Sequence, residues 1–269
     1  MSSKKNVVIA ALMSAIFAFN IDANEFSIRT VNGIEEVSSD GHPLMENDSE
    51  SLSISRFIRT SDLTLDSVWD IPLRKSWWSR PYEYAWTMQF AGPDLVVLDA
   101  ACGISHPLKW YLADNCKETW ACDTDPRIVS REAIIQETYD DLGEDAYLTL
   151  MSKDYIFDKI TLLQASIFDL PDSMPLFDRI FCVSTLEHLL PDERVRTLEN
   201  FAKILAPNGW LILTVDYPEV TPEELSIAAK NAGLVSVSAE EIGSPPVGTL
   251  NNGYYSIYRC VYKREPLKK

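Results

Sequence analysis

Two short apolar runs that each end in an acidic residue most constrain the fold of this 269-residue chain. The first spans residues 95–99 (Leu-Val-Val-Leu-Asp) and is followed at once by Ala100 and Ala101. The second spans residues 119–122 and is followed by Asp123. Short apolar runs next to turn signals are typical of strands buried in a parallel sheet. Two such strands, tipped with carboxylates and joined through a tight turn and a helix, predict a site for a nucleoside.

Predicted strands and helices alternate from residue 94 onward. Strands are predicted at residues 95–99, 119–123, 160–165, 179–183, 210–215, 234–238 and 254–262. Helices are predicted at about residues 79–90, 107–113 and 126–138, with two more that begin at Pro191 and after a capping box at Thr221. This alternation predicts an α/β fold with a doubly wound, mostly parallel seven-stranded sheet covered on both faces. The last two strands lack an intervening helix, so the C-terminal strand is expected to be antiparallel.

Two segments are less regular. Residues 140–159 are ambiguous and are expected to hold an insertion, and residues 207–209 (Pro-Asn-Gly) are expected to form a turn.

Charge and composition argue against several classes of partner. The net charge is −16 and the pI is near 4.6, so we expect no bulk nucleic-acid binding and no attraction to anionic membranes. The five cysteines are an odd number and lie mostly in apolar runs, which favours buried free thiols in a reducing compartment. None of the three histidines lies in a Cys/His cluster with zinc-like spacing, so no metal site is expected.

The N-terminal region, residues 1–66, is predicted to be a partly ordered extension of a domain formed by residues 67–269. Within it, two lysines precede an apolar run in the segment 4–23, which is signal-like but too short for a comfortable membrane span. The alternative is a hydrophobic segment that docks on the protein. We favour docking and a cytoplasmic location, because the cofactor inferred below is made in the cytosol; secretion stays open.

Four motifs in a fixed order resemble those of class I S-adenosylmethionine-dependent methyltransferases. Residues 99–105 (Asp-Ala-Ala-Cys-Gly-Ile-Ser) resemble the family's D-x-G-x-G-x-G, and residues 205–211 (Leu-Ala-Pro-Asn-Gly-Trp-Leu) are similar to its L-x-P-G-G-x-L. Residues 121–126 and 177–189 lie between them and continue the resemblance, which covers about residues 79–263. Ala101, Ser105 and Asn208 stand where the family usually has glycines. The departures put the geometry of the first turn in doubt.

The resemblance implies a Rossmann-like fold, S-adenosylmethionine as cofactor, and methyl transfer to an oxygen or nitrogen atom of a small or medium-sized acceptor. Asp99 would orient the ammonium group of the cofactor, and the backbone at Ala101 and Gly103 would approach its methionine and ribose. Asp123 would accept hydrogen bonds from the ribose hydroxyls, as an acid at this position does in dinucleotide folds. Asp125 is the less favoured alternative for the ribose.

Further contacts follow from the motif positions. Ser166 and Ile167 would flank the adenine, with Asp169 as a second candidate or a simple turn residue. Ser184, after the fourth strand, would lie under the sulfonium.

An aromatic segment precedes the first motif and looks like the S-R-x-x-E-Y segment of some small-molecule methyltransferases. Arg80 and Tyr84 are one helical turn apart and would share a face toward the cofactor, whose carboxylate Arg80 would bind. The tryptophans at positions 77, 78 and 86 either approach the sulfonium or pack the helix on the sheet. Cys102 and Cys122 are expected to be packing residues.

Three residues are candidates for contact with the acceptor. His188 follows the fourth strand and would act either as a general base or as a packing residue. Asp216 and Tyr217 end the fifth strand. Because methyl transfer is an in-line displacement, much of its rate can come from alignment, and a dedicated base is not required.

Two rival functions are weighed. A nicotinamide-dependent oxidoreductase needs G-x-G-x-x-G after the first strand, where this chain has only Gly103. A non-catalytic module of methyltransferase fold, which binds the cofactor or another protein, is favoured by the lost glycines and the acidic extension.

Overall fold

The computed structural model of this chain describes residues 27–31, 34–38 and 49–265. The chain divides into two units, Met1–Asp48 and Ser49–Lys269. In the first unit, β1 (Ser27–Val31) and β2 (Ile34–Ser38) pair in antiparallel fashion. The predicted segment 4–23 lies outside the described residues.

The second unit contains the sheet and its helices. Its strands are β3 (Arg56–Phe57), β4 (Ser67–Val68), β5 (Ile71–Pro72), β6 (Val96–Ala100), β7 (Glu118–Asp123), β8 (Ile160–Gln164), β9 (Phe177–Val183), β10 (Leu205–Tyr217), β11 (Leu234–Ser236) and β12 (Ser256–Arg264). Its α-helices are α1 (Ser49–Leu52), α2 (Arg80–Thr87), α3 (Leu108–Asn115), α4 (Arg131–Leu142), α5 (Glu144–Ser152), α6 (Pro191–Ile204) and α7 (Pro222–Asn231). Short 3₁₀ helices cover Met88–Phe90, Pro126–Val129, Asp154–Asp158 and Leu186–His188.

The main sheet has the order β11-β12-β10-β9-β6-β7-β8. Strands β10, β9, β6, β7 and β8 are parallel, and β12 is antiparallel to both of its neighbours. The predicted Rossmann-like, mostly parallel sheet with an antiparallel C-terminal strand is confirmed. The chain runs outward from β6 through β7 to β8 and returns to β9 on the other side of β6. The strand order therefore switches between β6 and β9, where open α/β sheets bind ligands.

Apolar side chains cover both faces of this sheet. Successive residues of a strand point to opposite faces. Val97 and Ile212 accordingly belong to one buried cluster, whereas Leu98 and Leu213 belong to the other. Burial on both faces explains why the strands read as continuous apolar runs in the sequence.

Three predicted elements differ from the structure. Residues 207–209, predicted as a turn, lie within β10, and the register of β10 against β9 shifts between Leu205 and Trp210. The helix predicted at 126–138 is a 3₁₀ turn followed by α4, because the Ser130 hydroxyl accepts a hydrogen bond from Ala133 N and caps a new helix. The ambiguous stretch 140–159 contains α5 and a 3₁₀ helix.

An additional strand, β3, comes from the region assigned to the extension. It pairs with β12 and makes the sheet eight-stranded. The predicted boundary between residues 66 and 67 stays a prediction, while the contacts of the chain divide it at Ser49.

The Phe57 side chain anchors β3 to the core. It is fully buried, and its ring meets those of Tyr217 and Tyr258 edge-on at centroid distances of 5.6 and 5.2 Å. We expect Phe57→Ala to lower the free energy of unfolding by about 3–5 kcal/mol, because a cavity replaces a buried ring. Urea unfolding measures this change. The control is Leu63→Ala at a side chain that is 42% exposed, with an expected change within about 0.5 kcal/mol. A loss below about 1 kcal/mol for Phe57→Ala would contradict the packing of β3 described here.

Candidate active site

A pocket opens at the carboxyl ends of β6 and β9. It is lined by six of the residues predicted to bind the cofactor, namely Arg80, Tyr84, Asp99, Ala101, Gly103 and Ser184. The topology therefore brings together residues that are up to 104 positions apart in the sequence.

The turn after β6 is built from left-handed backbone. Ala101 has a φ of 56° and Gly103 has a φ of 62°. The left-handed region disfavours residues with a Cβ, so this geometry explains the glycine that the resembling family has at the position of Ala101. Two main-chain donors tie the turn to β7: Cys102 N donates to the Cys122 carbonyl, and Gly103 N donates to Asp123 Oδ2, both at 2.9 Å.

Gly103 is required for steric reasons as well. A Cβ at this position would lie 2.6 Å from Cδ2 of His106. At the third glycine position of the motif, the Ser105 hydroxyl instead donates to Asp141 Oδ2 at 2.6 Å and ties the turn to α4. The first turn is thus held by hydrogen bonds to β7 and α4, although two of the family's usual glycines are replaced.

Lys109 also stabilises this turn. Its role was not predicted from the sequence. Its side chain is fully buried, and Nζ donates to the carbonyls of Gly103 at 2.7 Å and His106 at 2.6 Å. Burial lowers the pKa of Lys109, against the opposing effect of the nearby Cys102 and Asp99. In the sequence, a lysine near the start of a helix reads as a surface residue, so no local signal marks it.

Asp99 presents an unsatisfied acceptor to the pocket. The residue is 3% exposed, and its Oδ2 has no hydrogen-bond partner among the described residues. Burial raises the pKa of Asp99 to about 7, the Asp123 charge adds to this, and Lys109 opposes it. A buried, unpaired carboxylate is costly. Its position fits an ammonium group, as the sequence predicts for the methionine end of the cofactor.

Asp123 has room for two more hydrogen bonds. Its Oδ2 accepts from Gly103 N and its Oδ1 accepts from Asp125 N at 3.0 Å. A carboxylate offers about four acceptor sites, so two remain for a pair of hydroxyls. The alternative, Asp125, is occupied by Arg127, whose Nε and Nη2 donate to it at 3.0 and 2.6 Å. The contacts favour Asp123 over Asp125.

A buried carboxylate on α2 organises the other side of the pocket. Glu83 is fully buried, forms an ion pair with Arg80, and accepts hydrogen bonds from the hydroxyls of Ser184 and Thr214 at 2.5 Å each. Burial acts to raise the pKa of Glu83, but Arg80 and the two hydroxyls outweigh it and hold the pKa below its usual value. Arg80, which the sequence assigns to the cofactor carboxylate, is thus already paired within the protein.

His106 connects the aromatic segment to the pocket and was also not predicted. Its Nδ1 shares a hydrogen bond of 2.5 Å with the Tyr84 hydroxyl, and the Trp77 ring stacks on it at 4.2 Å. Burial, together with the nearby Arg80 and Lys109 charges, lowers the pKa of His106 to about 3. The imidazole is therefore neutral at physiological pH.

The predicted adenine contacts lie beside Asp123. Ala165 N donates to the Asp123 carbonyl at 2.9 Å, which places the following residues at the end of β7. The Ser166 hydroxyl is buried without a partner among the described residues, whereas the Ile167 side chain packs in the core. Asp169 lies in a separate polar groove with Arg196 and Lys203. Contacts of these three residues with an adenine stay predictions.

A second pocket shares Arg80, His106 and Ser184 with the first. Its other lining residues are Ser76, Trp77, Trp78, Ser79, Glu187, His188 and Asp216. It therefore contains two of the three predicted acceptor residues. The third, Tyr217, is packed on Phe57 and is absent from the lining of both pockets. Trp86 is 2% exposed and donates from its indole nitrogen to the Leu52 carbonyl, a packing role.

Glu187 also lines the second pocket and was not predicted. It is 8% exposed, and both of its carboxylate oxygens are buried without a partner in the described chain. Burial raises the pKa of Glu187 to about 8, helped by the charges of Asp216 and Glu83. Burial, followed by the Glu83 charge, also raises the pKa of Asp216.

Three further properties of the described residues bear on the predictions. All five cysteines are free, and burial raises the pKa values of Cys102 and Cys122, which agrees with a packing role. No three His, Cys, Asp or Glu side chains in these ranges are grouped so as to hold a metal. None of the helices in the described part is both long enough and apolar enough to cross a bilayer.

Comparisons with known proteins agree with the motifs. The family model described as "Methyltransferase domain" matches residues 98–213. No curated protein sequence matches the chain. The [4+2]-cyclase SpnF has a similar fold, with a TM-score of 0.52, 11% identity, and coverage of 78% of this chain and 88% of the cyclase.

Two solved methyltransferases are less similar in overall superposition. A TehB-like S-adenosylmethionine-dependent methyltransferase from Corynebacterium glutamicum has a TM-score of 0.46 and 18% identity, over 68% of this chain and 87% of that protein. The N-methyltransferase NodS from Bradyrhizobium japonicum, solved with S-adenosyl-L-homocysteine, has a TM-score of 0.45 and 16% identity, over 64% of this chain and 79% of NodS.

The raised pKa of Asp99 predicts a pH-dependent effect of its replacement. An unfolded aspartate ionises near pH 4, whereas the folded protein keeps the proton up to about pH 7. The folded state therefore binds more protons between these values, and this residue's contribution to stability falls as pH rises through them. We expect Asp99→Asn to become more stable relative to the wild type as pH increases from 4 to 7, measured by urea unfolding without cofactor.

Asp94→Asn, at an exposed residue, is the control for loss of one negative charge. If the stability difference between Asp99→Asn and the wild type were the same at pH 4 and pH 7, Asp99 would not be a buried, unpaired carboxyl.

Proposed function

The chain belongs to the class I S-adenosylmethionine-dependent methyltransferases, and on that premise we propose that it methylates an oxygen or nitrogen atom of a small or medium-sized acceptor. The observation that carries the proposal is the pair of pockets joined at Arg80, His106 and Ser184. The first pocket suits the cofactor and the second suits the acceptor. A shared wall between them is what a direct transfer between two bound molecules requires.

The residues of the first pocket, together with Asp123, which is hydrogen-bonded to Gly103 outside the pocket's lining, match the polar groups of the cofactor. The free Oδ2 of Asp99 would accept from the ammonium group, and the open acceptor sites of Asp123 would take the two ribose hydroxyls. The left-handed turn at Ala101 and Gly103 would bring main chain rather than side chain against the ligand. Bound S-adenosylmethionine supplies a methyl group on a positively charged sulfur, which makes that carbon electrophilic.

The chain's contribution to the reaction is mainly alignment. Ser184 lies at the junction of the two pockets, with a φ of 43° and its hydroxyl fixed on Glu83, so it would set the distance between the two ligands. His188 and Asp216 would orient the acceptor in the second pocket. Holding two reactants in line removes much of the entropic barrier of a bimolecular displacement. Contact between Tyr217 and the acceptor stays a prediction.

Calorimetric titration of the purified protein with S-adenosylmethionine tests the cofactor site. We expect micromolar affinity for S-adenosylmethionine and no binding of NAD. Asp123→Ala should weaken binding by about tenfold or more, because a hydrogen bond to a charged group contributes about 1.5–3 kcal/mol. Asp125→Ala is the matched control and should change affinity by less than about threefold, since this carboxylate is occupied by Arg127. Equal losses in both variants would contradict the assignment of the ribose to Asp123.

Transfer to an acceptor is measured with S-adenosylmethionine labelled in the methyl group and a panel of small hydroxyl and amine compounds. Label should appear in at least one compound with the wild type, and Asp99→Ala should lower the rate at subsaturating cofactor. Tight binding of S-adenosylmethionine with no transfer to any member of the panel would count against the proposed acceptor class.

A further inference from the structure

The second pocket contains two carboxyl groups that form no ion pair within the described chain. Glu187 and Asp216 both line it, and neither forms an ion pair within residues 49–265. The third nearby carboxylate, Glu83, is balanced by Arg80. The pocket therefore holds two carboxyl groups without an ion-pair partner, and a bound cation would favour the ionised form of both.

Arg194, the arginine nearest in sequence to Glu187, does not form an ion pair with the Glu187 carboxylate. Arg194 donates from Nε to the carbonyls of Leu186 and Leu189, at 2.8 and 3.0 Å, and from Nη2 to the Glu187 carbonyl at 3.3 Å. Its guanidinium thus fixes the main chain of the 3₁₀ helix Leu186–His188. The Glu187 side chain is held in place while both of its oxygens stay without a partner.

Aromatic rings form another part of this pocket's lining. Trp77 and Trp78 both line it, and Trp77 is held by its stacking on His106. Indole faces attract ammonium groups, more strongly where water is excluded. A pocket with tryptophans and unpaired carboxylates is suited to a cation that also carries apolar surface.

We propose that the acceptor is an aryl- or alkylamine that enters the second pocket as an ammonium ion and is held by Glu187 and Asp216 beside Trp77 and Trp78. This inference rests on the proposed function and narrows it to N-methylation. The ammonium first transfers a proton to Glu187. The nitrogen lone pair then forms a bond to the methyl carbon as the bond from that carbon to sulfur breaks, and the electron pair of the broken bond stays on sulfur. The N-methylated product leaves as a cation, and Glu187 returns its proton to solvent.

The ionisation of Glu187 is compatible with this role. Burial, together with the Asp216 and Glu83 charges, raises its pKa to about 8, against the opposing effects of the main chain of Glu187 itself and of Arg80. A carboxyl that exchanges its proton near neutral pH can both bind an ammonium and accept a proton from it. The other titratable or charged groups that line this pocket are Asp216, His188, His106 and Arg80.

A matched set of probes tests the charge requirement. The full-length protein is saturated with S-adenosyl-L-homocysteine and titrated at pH 7.5 with 2-phenylethylamine, 2-phenylethanol and 3-phenylpropanoate. We expect the amine to bind about tenfold or more tightly than the alcohol, and the carboxylate to bind most weakly. Glu187→Gln and Asp216→Asn should each remove most of this preference.

Asp192→Asn is the control, because it removes one charge from an exposed residue that does not line the pocket and should leave the preference intact. Binding of S-adenosyl-L-homocysteine is measured separately for every variant. If the wild type does not bind S-adenosyl-L-homocysteine, the proposed function is wrong, and the inference that rests on it is wrong as well. Three outcomes would overturn the amine inference alone, provided that S-adenosyl-L-homocysteine still binds. These are equal affinity for amine and alcohol, no binding of any probe, and a preference that survives both substitutions.

Discussion

The carboxylate of Glu83 is completely buried and binds groups from three parts of the fold: Arg80 on its own helix, Ser184 after β9, and Thr214 on β10. Removing one partner of a buried ion pair leaves an uncompensated charge, which costs about 3–5 kcal/mol. The partners of Glu83 therefore hold α2 at one place on the sheet. The position of α2 in turn sets where Tyr84 faces the first pocket and where the preceding tryptophan segment faces the second. The geometry of both pockets depends on this one network.

Much of the sheet was predictable from the sequence because its signals are local. The strands β6, β7 and β8 were placed within one residue at each end, since buried parallel strands are apolar on both faces and end at acidic or small residues. The misplaced elements depend on longer-range contacts. The Pro-Asn-Gly stretch at 207–209 reads as a turn, yet the chain continues in the same direction because β10 resumes pairing with β9 at Trp210. The two residues of β3 are too few to show a period, and only pairing with β12 makes them a strand.

The residues of the candidate site also fall into those that local sequence predicts and those that depend on tertiary contacts. Motif residues such as Asp99, Asp123 and Gly103 were predicted because their types and spacing are fixed by the turn that they build. The replaced glycine at Ala101 shows that a left-handed φ can be tolerated with a Cβ, whereas Gly103 has no such freedom because His106 lies under it. Lys109 and Glu187 were missed because nothing in the local sequence says that these charged residues are buried. Their environment is set by tertiary packing, which a single sequence does not display.

The hydrogen bonds that Arg194 donates to two loops have a consequence for how this enzyme could evolve to accept new substrates. The arginine holds carbonyls of the turn after β9 and, through Nη1 at 3.2 Å, the carbonyl of Glu219 in the loop after β10. The turn after β9, which lines the second pocket, and the loop after β10 are thus both bound by one side chain. Divergence toward new acceptors would then proceed by exchanging side chains on a rigid frame, such as those at positions 187 and 216, rather than by lengthening or reshaping the loops. In a descendant without Arg194, the two loops could also change in length or conformation.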